Sequence, residues 1–213
     1  MILKVNEIFE SLQGESSYAG LPCVFVRLTG CNLRCEWCDT KYAYSEGTYM
    51  SPAEVAERIN SSKALLAEFT GGEPLLQIEA LIEAVNLIDE SKTILVETNG
   101  SIPIAGLPDR IINIVDIKLN GSGESGSFLE DNLKYLSKKD EIKFVLKNII
   151  DYNEFKEYYL RFRLEERCNV LVSKVKGSEI SHRDIAEMIL KDGLKVRYQI
   201  QLHKSIWGDE RGK

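Results

Sequence analysis

Short apolar segments rich in β-branched residues alternate with segments of helical character along most of this chain. Strands that alternate with helices predict βαβ units and a parallel sheet. The predicted strands cover 23–29, 65–70, 93–98, 111–118, 142–146, 169–172 and 196–202. One predicted helix opens at Ser51, a second carries Leu81, Ile82, Val85 and Ile88 on one face, and three more cover 127–136, 151–166 and 181–191.

The length of the chain limits how far this alternation can extend. Its 213 residues fall short of the ~250 residues that are typical of a complete (β/α)₈ barrel. We therefore expect a single α/β domain over residues 1–213, folded as an incomplete, laterally open (β/α) barrel of about six or seven mainly parallel strands. Residues 1–20 contain two glycines and paired serines, which predict a loop rather than a regular element.

Three of the five cysteines, Cys31, Cys35 and Cys38, lie close together after the first predicted strand. Three thiols this close together can converge on one point, so we expect residues 31–40 to form a loop that wraps around a single object. Thiolates bind soft metal centres, and iron–sulfur clusters are held by cysteine thiolates. A four-iron cluster normally takes four such ligands, so three cysteines would leave one iron open to bind another molecule.

Other uses of these cysteines remain open at this point. Three cysteines and one histidine form an ordinary structural zinc site, although His182 and His203 lie far along the chain and no second CxxC follows. A disulfide framework fits an odd number of cysteines poorly. A redox CxxC pair would leave Cys31 unexplained. Cys23 and Cys168 have no partner in the pattern and are interpreted as small buried residues.

The charge balance and the hydropathy exclude several partners. The chain carries 27 Lys and Arg against 33 Asp and Glu, a net charge of −6, which argues against a general binder of nucleic acid or of membrane surfaces. No apolar run approaches the ~20 residues needed to cross a bilayer. The first residues lack the basic region and apolar core of a secretory signal. We therefore expect a cytoplasmic protein, where thiols stay reduced.

The unusual residues follow the predicted strands at their carboxyl ends. In (β/α) barrels the chemistry gathers at those ends, which share one rim. The cysteine loop, the turn 71–74, the pair 98–99 and the segment 116–118 all occupy such positions. One rim of the predicted barrel therefore collects the candidate functional residues.

The cysteine loop also carries a resemblance to a known family. The spacing Cys31-x₃-Cys35-x₂-Cys38, with an aromatic residue before the last cysteine, resembles the signature of the radical S-adenosylmethionine (SAM) superfamily, and the Gly-Gly-Glu-Pro turn at 71–74 agrees with it. Within that superfamily the chain resembles the 7-carboxy-7-deazaguanine synthase family from its first strand to its last. The matching segments are 9–15, 25–40, 70–75, 97–100, 143–145 and 201–204. It departs from the family at Ser16, where a glycine is common, and at 116–118, where some members have Ser-Pro-Lys.

The resemblance implies a fold, a reaction and a set of cofactors. It implies a radical SAM core, a [4Fe–4S] cluster whose open iron binds S-adenosyl-L-methionine, and Mg²⁺. The implied reaction is the radical-mediated ring contraction of 6-carboxy-5,6,7,8-tetrahydropterin to 7-carboxy-7-deazaguanine with loss of ammonia, in queuosine or deazapurine biosynthesis. It also implies a homodimer, and a flavodoxin or ferredoxin as electron donor.

Residue roles follow from the resemblance, position by position, with no catalytic residue beyond the cluster and the cofactor. Residues 1–20 become an N-terminal extension on the substrate side, and residues 31–40 the cluster loop. The implied cluster ligands are Cys31, Cys35 and Cys38, and Thr40 is the implied Mg²⁺ ligand. The implied SAM-binding residues are Trp37, Cys38, Asp39, Gly71, Gly72, Glu73, Thr98, Asp116 and Lys118. The implied substrate-binding residues are Leu12, Gln13, Gly14, Glu15, Arg27, Thr70 and His203.

Two other functions compete with this interpretation. A glycyl-radical activating enzyme also combines a three-cysteine loop with Asp-x-Lys on a middle strand, but its substrate is a partner protein. A non-catalytic zinc-binding interaction module would use the cysteines alone. The zinc module explains neither the glycine turn at 71–74 nor the alternation of strands and helices.

Overall fold

Nine strands form one sheet in the computed structural model, which describes residues 1–213. The strands are β1 (Leu3–Leu12), β2 (Pro22–Leu28), β3 (Thr48–Met50), β4 (Leu66–Gly71), β5 (Thr93–Thr98), β6 (Ile111–Asp116), β7 (Glu141–Leu146), β8 (Asn169–Lys174) and β9 (Arg197–Tyr198). The α-helices are α1 (Pro52–Ser61), α2 (Ile78–Leu87), α3 (Ile149–Phe162), α4 (His182–Asp192) and α5 (Leu202–Trp207).

The strand order confirms a largely parallel sheet that does not close. The order is β3-β1-β2-β4-β5-β6-β7-β8-β9, so β3 and β9 are free edges. Each neighbouring pair from β2 to β9 is parallel, whereas β1 pairs antiparallel with both β2 and β3. Seven strands therefore run in parallel, as the alternation predicted, and the antiparallel pair extends one edge.

The register of the parallel strands aligns their carboxyl ends. Arg27 at the end of β2 lies beside Thr70 at the end of β4, and Asp116 at the end of β6 lies beside Lys143 of β7. The loops that follow β2, β4, β5 and β6 therefore leave the sheet on one rim.

Two apolar clusters cover most of the sheet. One packs α1 and α2 against β1, β2, β4 and β5, and includes Phe69 and Leu81. The other packs α3 and α4 against β6, β7 and β8. Phe155 and Tyr159 are buried in the second cluster and Tyr158 and Phe162 pack against it, so the aromatic stripe of α3 is core, as predicted. The concave face holds a smaller cluster of Cys23, Leu66, Leu95, Ile112 and Ile114.

Local signals correctly placed two helix N-termini. Ser51 and Glu54 form a reciprocal capping box at α1, and Ser181 and Asp184 form another at α4. Each box satisfies backbone N–H groups that the helix leaves free, which is worth about 1 kcal/mol per cap. No helix of this chain combines the length and the apolar character that a membrane crossing requires.

The sequence predicted a loop over residues 1–20, but β1 occupies Leu3–Leu12. Only Leu3 and Val5 of β1 are buried, and the other side chains are half-buried or exposed, so its pattern lacks the apolar character of a core strand. Antiparallel pairing with β2 and β3 stabilises it instead. The loop prediction holds for the residues that follow β1.

The last predicted strand and one predicted helix are also wrong in extent. Of 196–202, only Arg197 and Tyr198 form a strand, because the chain leaves the sheet and the Leu202 N–H donates to Gly14 O at 2.9 Å. His203 therefore lies on α5 rather than on a strand. Of 127–136, only Glu130–Lys134 is helical, as a 3₁₀ turn, because buried Asn132 bonds the backbone of the 100–104 segment.

Candidate active site

A cavity of about 260 Å³ opens at the carboxyl ends of the parallel strands. It collects nearly every residue that the sequence marked as a site residue. Those that line it are Leu12, Gln13, Gly14, Glu15, Arg27, Cys31, Cys35, Trp37, Cys38, Asp39, Thr40, Thr70, Gly71, Gly72, Thr98, Asp116, Lys118 and His203. The exception is Glu73, which lies behind the wall.

The cysteine loop follows β2 and is fixed to its neighbours by backbone bonds. The Gly30 N–H donates to Ala43 O at 2.8 Å, and the Glu36 N–H donates to Ser122 O at 2.9 Å. The Arg34 N–H donates to Glu124 Oε1 at 2.5 Å. These contacts hold the three thiols against the cavity on a loop whose own residues form no regular element.

The thiols fit an iron–sulfur cluster better than a single ion or a disulfide. All five cysteines are free. No group of three or more His, Cys, Asp or Glu side chains lies at the spacing that one metal ion requires. In a cubane cluster each thiolate binds a different iron, so wider spacing is expected. Burial raises the pKa of Cys31, and raises that of Cys35 to about 11, so cluster assembly has to displace protons from these thiols.

The two glycines after β4 bring the ends of β2 and β4 together. A Cβ on Gly71, whose φ is +141°, would lie 2.2 Å from Leu28 O, and one on Gly72 would lie 2.0 Å from Gly30 O and 2.9 Å from the Cys31 Cβ. The Gly72 N–H donates to Leu28 O at 3.1 Å. Only glycine permits this approach. The pair therefore sets the position of Cys31, besides lining the cavity.

The carboxylate of Glu73 is engaged inside the protein. It is fully buried and accepts bonds from the Leu75 N–H at 3.0 Å, the Thr98 hydroxyl at 2.8 Å and the Asn99 N–H at 2.7 Å. Burial raises its pKa, although these bonds act in the opposite direction. Glu73 and the Thr98 hydroxyl thus connect the turn after β4 to the turn after β5.

A buried amine organises the acidic side chains of the cavity. Lys143 Nζ lies 2.7 Å from Glu15 Oε2 and 3.4 Å from Asp116 Oδ2, and also pairs with Glu97. Burial alone would lower the pKa of Lys143, but these three carboxylates raise it well above its usual range. Burial would likewise raise the pKa of Glu15, yet the Lys143 charge lowers it to about 2.

The end of β6 presents a second ion pair and one unpaired oxygen. Lys118 Nζ donates to Asp116 Oδ2 at 2.8 Å. Asp116 Oδ1 is buried and has no hydrogen-bond partner in the protein. This orphan oxygen can accept a bond from a ligand in the cavity, which fits the role that the resemblance implies for Asp116 and Lys118 despite the departure from Ser-Pro-Lys.

The loop after β1 contacts α5 and completes one wall. The Gln13 side-chain oxygen accepts from the Glu15 and Ser16 N–H groups at 2.6 and 3.1 Å. The side-chain amide nitrogen, Nε2, donates to Glu68 Oε2 at 2.5 Å. The Gln13 side chain is therefore engaged within the protein. A Cβ on Gly14 would lie 2.2 Å from His203 Nδ1, so Gly14 permits His203 to reach the cavity.

Arg27 does not lie on an edge strand, because β2 is flanked by β1 and β4. Its Nε donates to Glu7 Oε1 at 2.8 Å, and its guanidinium lies 5.7 Å from the Phe9 ring centroid. Its two NH₂ groups donate no hydrogen bond within the protein. They remain available to bind a carboxylate through two parallel hydrogen bonds, as arginine commonly does.

The last residues of the cluster loop are contacted by lysines from two distant parts of the chain. Lys147 Nζ lies 5.7 Å from the Trp37 ring centroid, and Lys204 Nζ of α5 lies 2.9 Å from Asp39 Oδ2. Thr40 Oγ1 lies 3.6 Å from Cys38 Sγ. The Thr40 hydroxyl is thus beside the thiols and faces the same cavity.

Sequence reasoning missed part of the cavity. Glu68, Glu97 and Lys143 line it, although none was predicted as a site residue, and so does Tyr44. The signal was present for Glu68, because it is a charged residue within an otherwise apolar strand. Glu97 and Lys143 also lie on strands with apolar neighbours. Charged residues at such positions are rarely buried unless paired, so they indicate the functional face.

The chain belongs to the radical SAM superfamily, whose family model matches residues 25–157, more than half of its length. A protein of Koribacter versatilis named 7-carboxy-7-deazaguanine synthase is 41% identical to it over 98% of each chain. One of Thermoplasma acidophilum with the same name is 40% identical, over 98% of this chain and 99% of that one. Within the superfamily, the chain therefore belongs to the 7-carboxy-7-deazaguanine synthase family.

The fold agrees with this assignment. The crystal structure of QueE from Escherichia coli superposes with a TM-score of 0.79 and 22% identity, over 95% of each chain. A radical SAM core is confirmed, and with it the [4Fe–4S] cluster and S-adenosylmethionine that the superfamily uses. A zinc-binding interaction module is inconsistent with this family membership, and the relatives carry the synthase name rather than that of a glycyl-radical activating enzyme.

Proposed function

We propose that this chain catalyses the reaction of its family, the conversion of 6-carboxy-5,6,7,8-tetrahydropterin to 7-carboxy-7-deazaguanine with loss of ammonia. One observation carries the proposal: three free thiols and the loop after β1 face the same cavity, in a chain that aligns over nearly its whole length with synthases of that name.

The cluster side of the cavity is assigned to cofactor binding. Cys31, Cys35 and Cys38 would hold the [4Fe–4S] cluster, and bound S-adenosylmethionine would supply one-electron chemistry that abstracts hydrogen from the substrate. Gly71 and Gly72 keep the thiol loop close to the end of β4. The remaining proposed SAM contacts are Trp37, Asp39, Glu73, Thr98, Asp116 and Lys118. Of these, Glu73 and Thr98 act by holding the wall, since their side chains are engaged with each other.

The opposite side is assigned to the pterin. Arg27 supplies free N–H donors for the substrate carboxylate, and Thr70 and His203 line the same cavity. Leu12 and the following Gln-Gly-Glu segment bound the ring on its other side. Lys143 keeps Glu15 ionised and fixed in place.

We assign Thr40 as the one protein ligand of a Mg²⁺ ion that would bridge to the substrate carboxylate. Magnesium keeps several waters and binds through few protein oxygens, so a single hydroxyl is physically sufficient. The same proposal includes a homodimer, a flavodoxin or ferredoxin as reductant, and a location in the cytoplasm, where the thiols stay reduced.

Anaerobic turnover tests the function directly. The reconstituted protein, with S-adenosylmethionine, a reductant and the carboxytetrahydropterin, is expected to form the deazapurine chromophore and to contain about four irons per chain. Product formation should fall on removal of Mg²⁺, and should fall in the Thr40→Ala variant even when Mg²⁺ is present.

Thr48→Ala is the matched control for this substitution, because Thr48 is an exposed residue of β3 outside the cavity. It should behave as the wild type. Absence of the deazapurine from iron-loaded protein contradicts the function, whereas equal turnover of the Thr40→Ala variant and the wild type, with and without magnesium, contradicts only the metal assignment.

A further inference from the structure

Glu68 is a buried carboxyl group in the cavity that the reaction scheme leaves without a role. Its neighbours along β4, Ala67 and Phe69, enter the main apolar cluster, so Glu68 faces the opposite side, towards the cavity. Only 1% of the residue is exposed. A carboxyl group is rarely buried to this degree without a cation or a full set of hydrogen bonds.

Glu68 has no cationic partner. Lys143 forms ion pairs with Glu15, Glu97 and Asp116, but Glu68 is outside ion-pair distance of every basic group. Its one hydrogen bond is the one that Oε2 accepts from the Gln13 amide nitrogen, Nε2, at 2.5 Å. The second oxygen, Oε1, makes no hydrogen bond within the protein.

The orientation of Gln13 identifies which oxygen of Glu68 is free to donate. Gln13 Oε1 accepts from two backbone N–H groups, so the amide NH₂ group of Gln13 must face Glu68. Oε2 of Glu68 is therefore an acceptor. In the neutral acid, the proton resides on Oε1, the oxygen with no partner.

The surroundings keep this acid protonated at neutral pH. Burial and the charge of Glu97 raise the pKa of Glu68 to about 8, and Glu15 acts in the same direction. The Gln13 bond and the Lys143 charge oppose the shift without cancelling it. Cys23, on the adjacent strand, is a further titratable neighbour, and its thiol is neutral because burial raises its pKa.

Two aromatic rings lie in the same cavity as Glu68, one of them on the adjacent strand. Phe25 of β2 is the register neighbour of Glu68, and its ring stacks on Phe9 with centroids 5.1 Å apart. Both rings line the cavity. A flat apolar surface next to one hydrogen-bond donor suits a planar heterocycle that carries an acceptor atom.

We propose that Glu68 is a substrate-binding residue that donates a hydrogen bond from Oε1 to a ring carbonyl oxygen or ring nitrogen of the pterin. This inference rests on the proposed function. The neutral acid is the competent form, because an ionised Glu68 would present a negative charge to an acceptor atom. An acid kept neutral by its environment in order to donate is an established device in enzyme sites.

Substrate affinity as a function of pH tests the proposal. Binding of the carboxytetrahydropterin is measured on the cluster-loaded protein with S-adenosylmethionine and no reductant, so that no turnover occurs. Wild-type affinity should weaken about tenfold between neutral pH and about pH 9, because the competent protonation state becomes a minor one. The Glu68→Gln variant keeps a donor that does not ionise, so its affinity should not change over this range.

Two further variants separate this role from a structural one. The Glu68→Leu variant lacks the donor and should bind about tenfold more weakly than the wild type at neutral pH. Glu141→Gln is the matched control: Glu141 is also a fully buried glutamate of raised pKa, but it binds Ser17 outside the cavity. This variant should keep the loss of affinity at alkaline pH.

The outcomes distinguish a failure of the Glu68 assignment from a failure of the proposed function. Protein that binds and converts the pterin, but with an affinity independent of pH up to about 9, overturns the role of Glu68 alone. The same conclusion follows if Glu68→Gln loses affinity with pH as the wild type does. Protein that neither binds nor converts the pterin overturns the proposed function, and with it this inference.

Discussion

Lys143 is the residue on which the charge balance of the cavity depends. Its side chain is 7% exposed and contacts Glu15 of the loop after β1, Glu97 of β5 and Asp116 of β6. Without the Lys143 ammonium group, the negative charges of these three neighbouring carboxylates would repel one another strongly. Lys143 is therefore as important for holding the loop after β1 to the sheet as for any contact with a ligand.

Replacing Lys143 by methionine should destabilise the protein by about 3–5 kcal/mol at neutral pH, because it leaves buried carboxylates uncompensated. Urea unfolding at pH 7 measures this. The Lys134→Met variant is the control, since Lys134 pairs with Asp131 on an exposed 3₁₀ turn and its loss should leave the free energy of unfolding nearly unchanged.

The pH dependence of this difference has a defined sign. The pKa of Glu15 is lowered to about 2 in the folded protein, so its contribution to stability is present above the ordinary value of 4.5 and is lost as the pH falls towards 2. The stability gap between wild type and the Lys143→Met variant should therefore narrow across that interval. A gap that stays constant would show that Glu15 owes its position to other contacts.

Single residues also show what sequence reasoning could and could not reach. The cysteine spacing identified the three thiols, because the pattern is local and chemically specific. The engagement of the Gln13 side chain with Glu68 could not be read, because the two residues lie 55 positions apart and meet only through the sheet. Glu97 and Lys143 likewise lie 46 positions apart, on β5 and β7, so no local motif joins them.

At the scale of elements, the sequence predicted the parallel strands β4 to β8 correctly, but it did not predict β1 or α5. Strands β4 to β8 are buried on both faces and give continuous apolar runs, which a sequence reveals directly. In contrast, β1 is stabilised by antiparallel pairing at the sheet edge, and α5 by its contact with Gly14. The half-exposed β1 lacks an apolar pattern, and the contact of Leu202 with Gly14 is distant in sequence, so both elements were assigned to the wrong state.

The junction of β2 and β4 gives a prediction at this scale. In a Gly72→Ala variant the new methyl group would lie 2.0 Å from Gly30 O, which is backbone and cannot move without shifting Cys31. The variant should fold with a displaced thiol loop and bind less iron after reconstitution, as measured by iron and sulfide content. Loss of S-adenosylmethionine binding should accompany the loss of iron.

A Gly106→Ala substitution separates the steric effect from backbone strain. Gly106 has a positive φ, of +88°, which Gly72 lacks, and nothing lies within 4 Å of a Cβ built there, so its substitution adds backbone strain without a clash. It should cost about 1 kcal/mol and leave the iron content unchanged. Full iron loading of the Gly72→Ala variant would show that the thiol loop tolerates the shift.

At the scale of the whole molecule, loops and one short helix cover the cavity where a closed barrel would have further strands. The sheet is open at β3 and β9. The loop after β1 and the segment 202–213 occupy the mouth instead, with His203 and Lys213 among the residues that line it. Access to the cavity therefore depends on how firmly the segment 202–213 is held.

Arg211 anchors the C-terminal end of that segment. Its guanidinium lies 3.9 Å from the Tyr42 ring centroid, its Nε lies 3.1 Å from Glu7 Oε2, and one NH₂ group donates to Asn6 Oδ1 at 3.0 Å. Since 48% of the side chain is exposed, solvent screens these contacts. We therefore expect them to stabilise the segment only weakly.

An Arg211→Ala variant should consequently raise the KM for the pterin about two- to fivefold, because a less firmly held segment leaves the cavity competent for a smaller fraction of the time. Its kcat and melting temperature should change little. Arg183→Ala is the control, because Arg183 forms an exposed pair with Glu187 on α4 and lies outside the cavity. An equal rise in KM in both variants, or none in either, would show that Arg211 does not control access, and that the contacts of α5 with Gly14 and Asp39 hold the mouth closed without it.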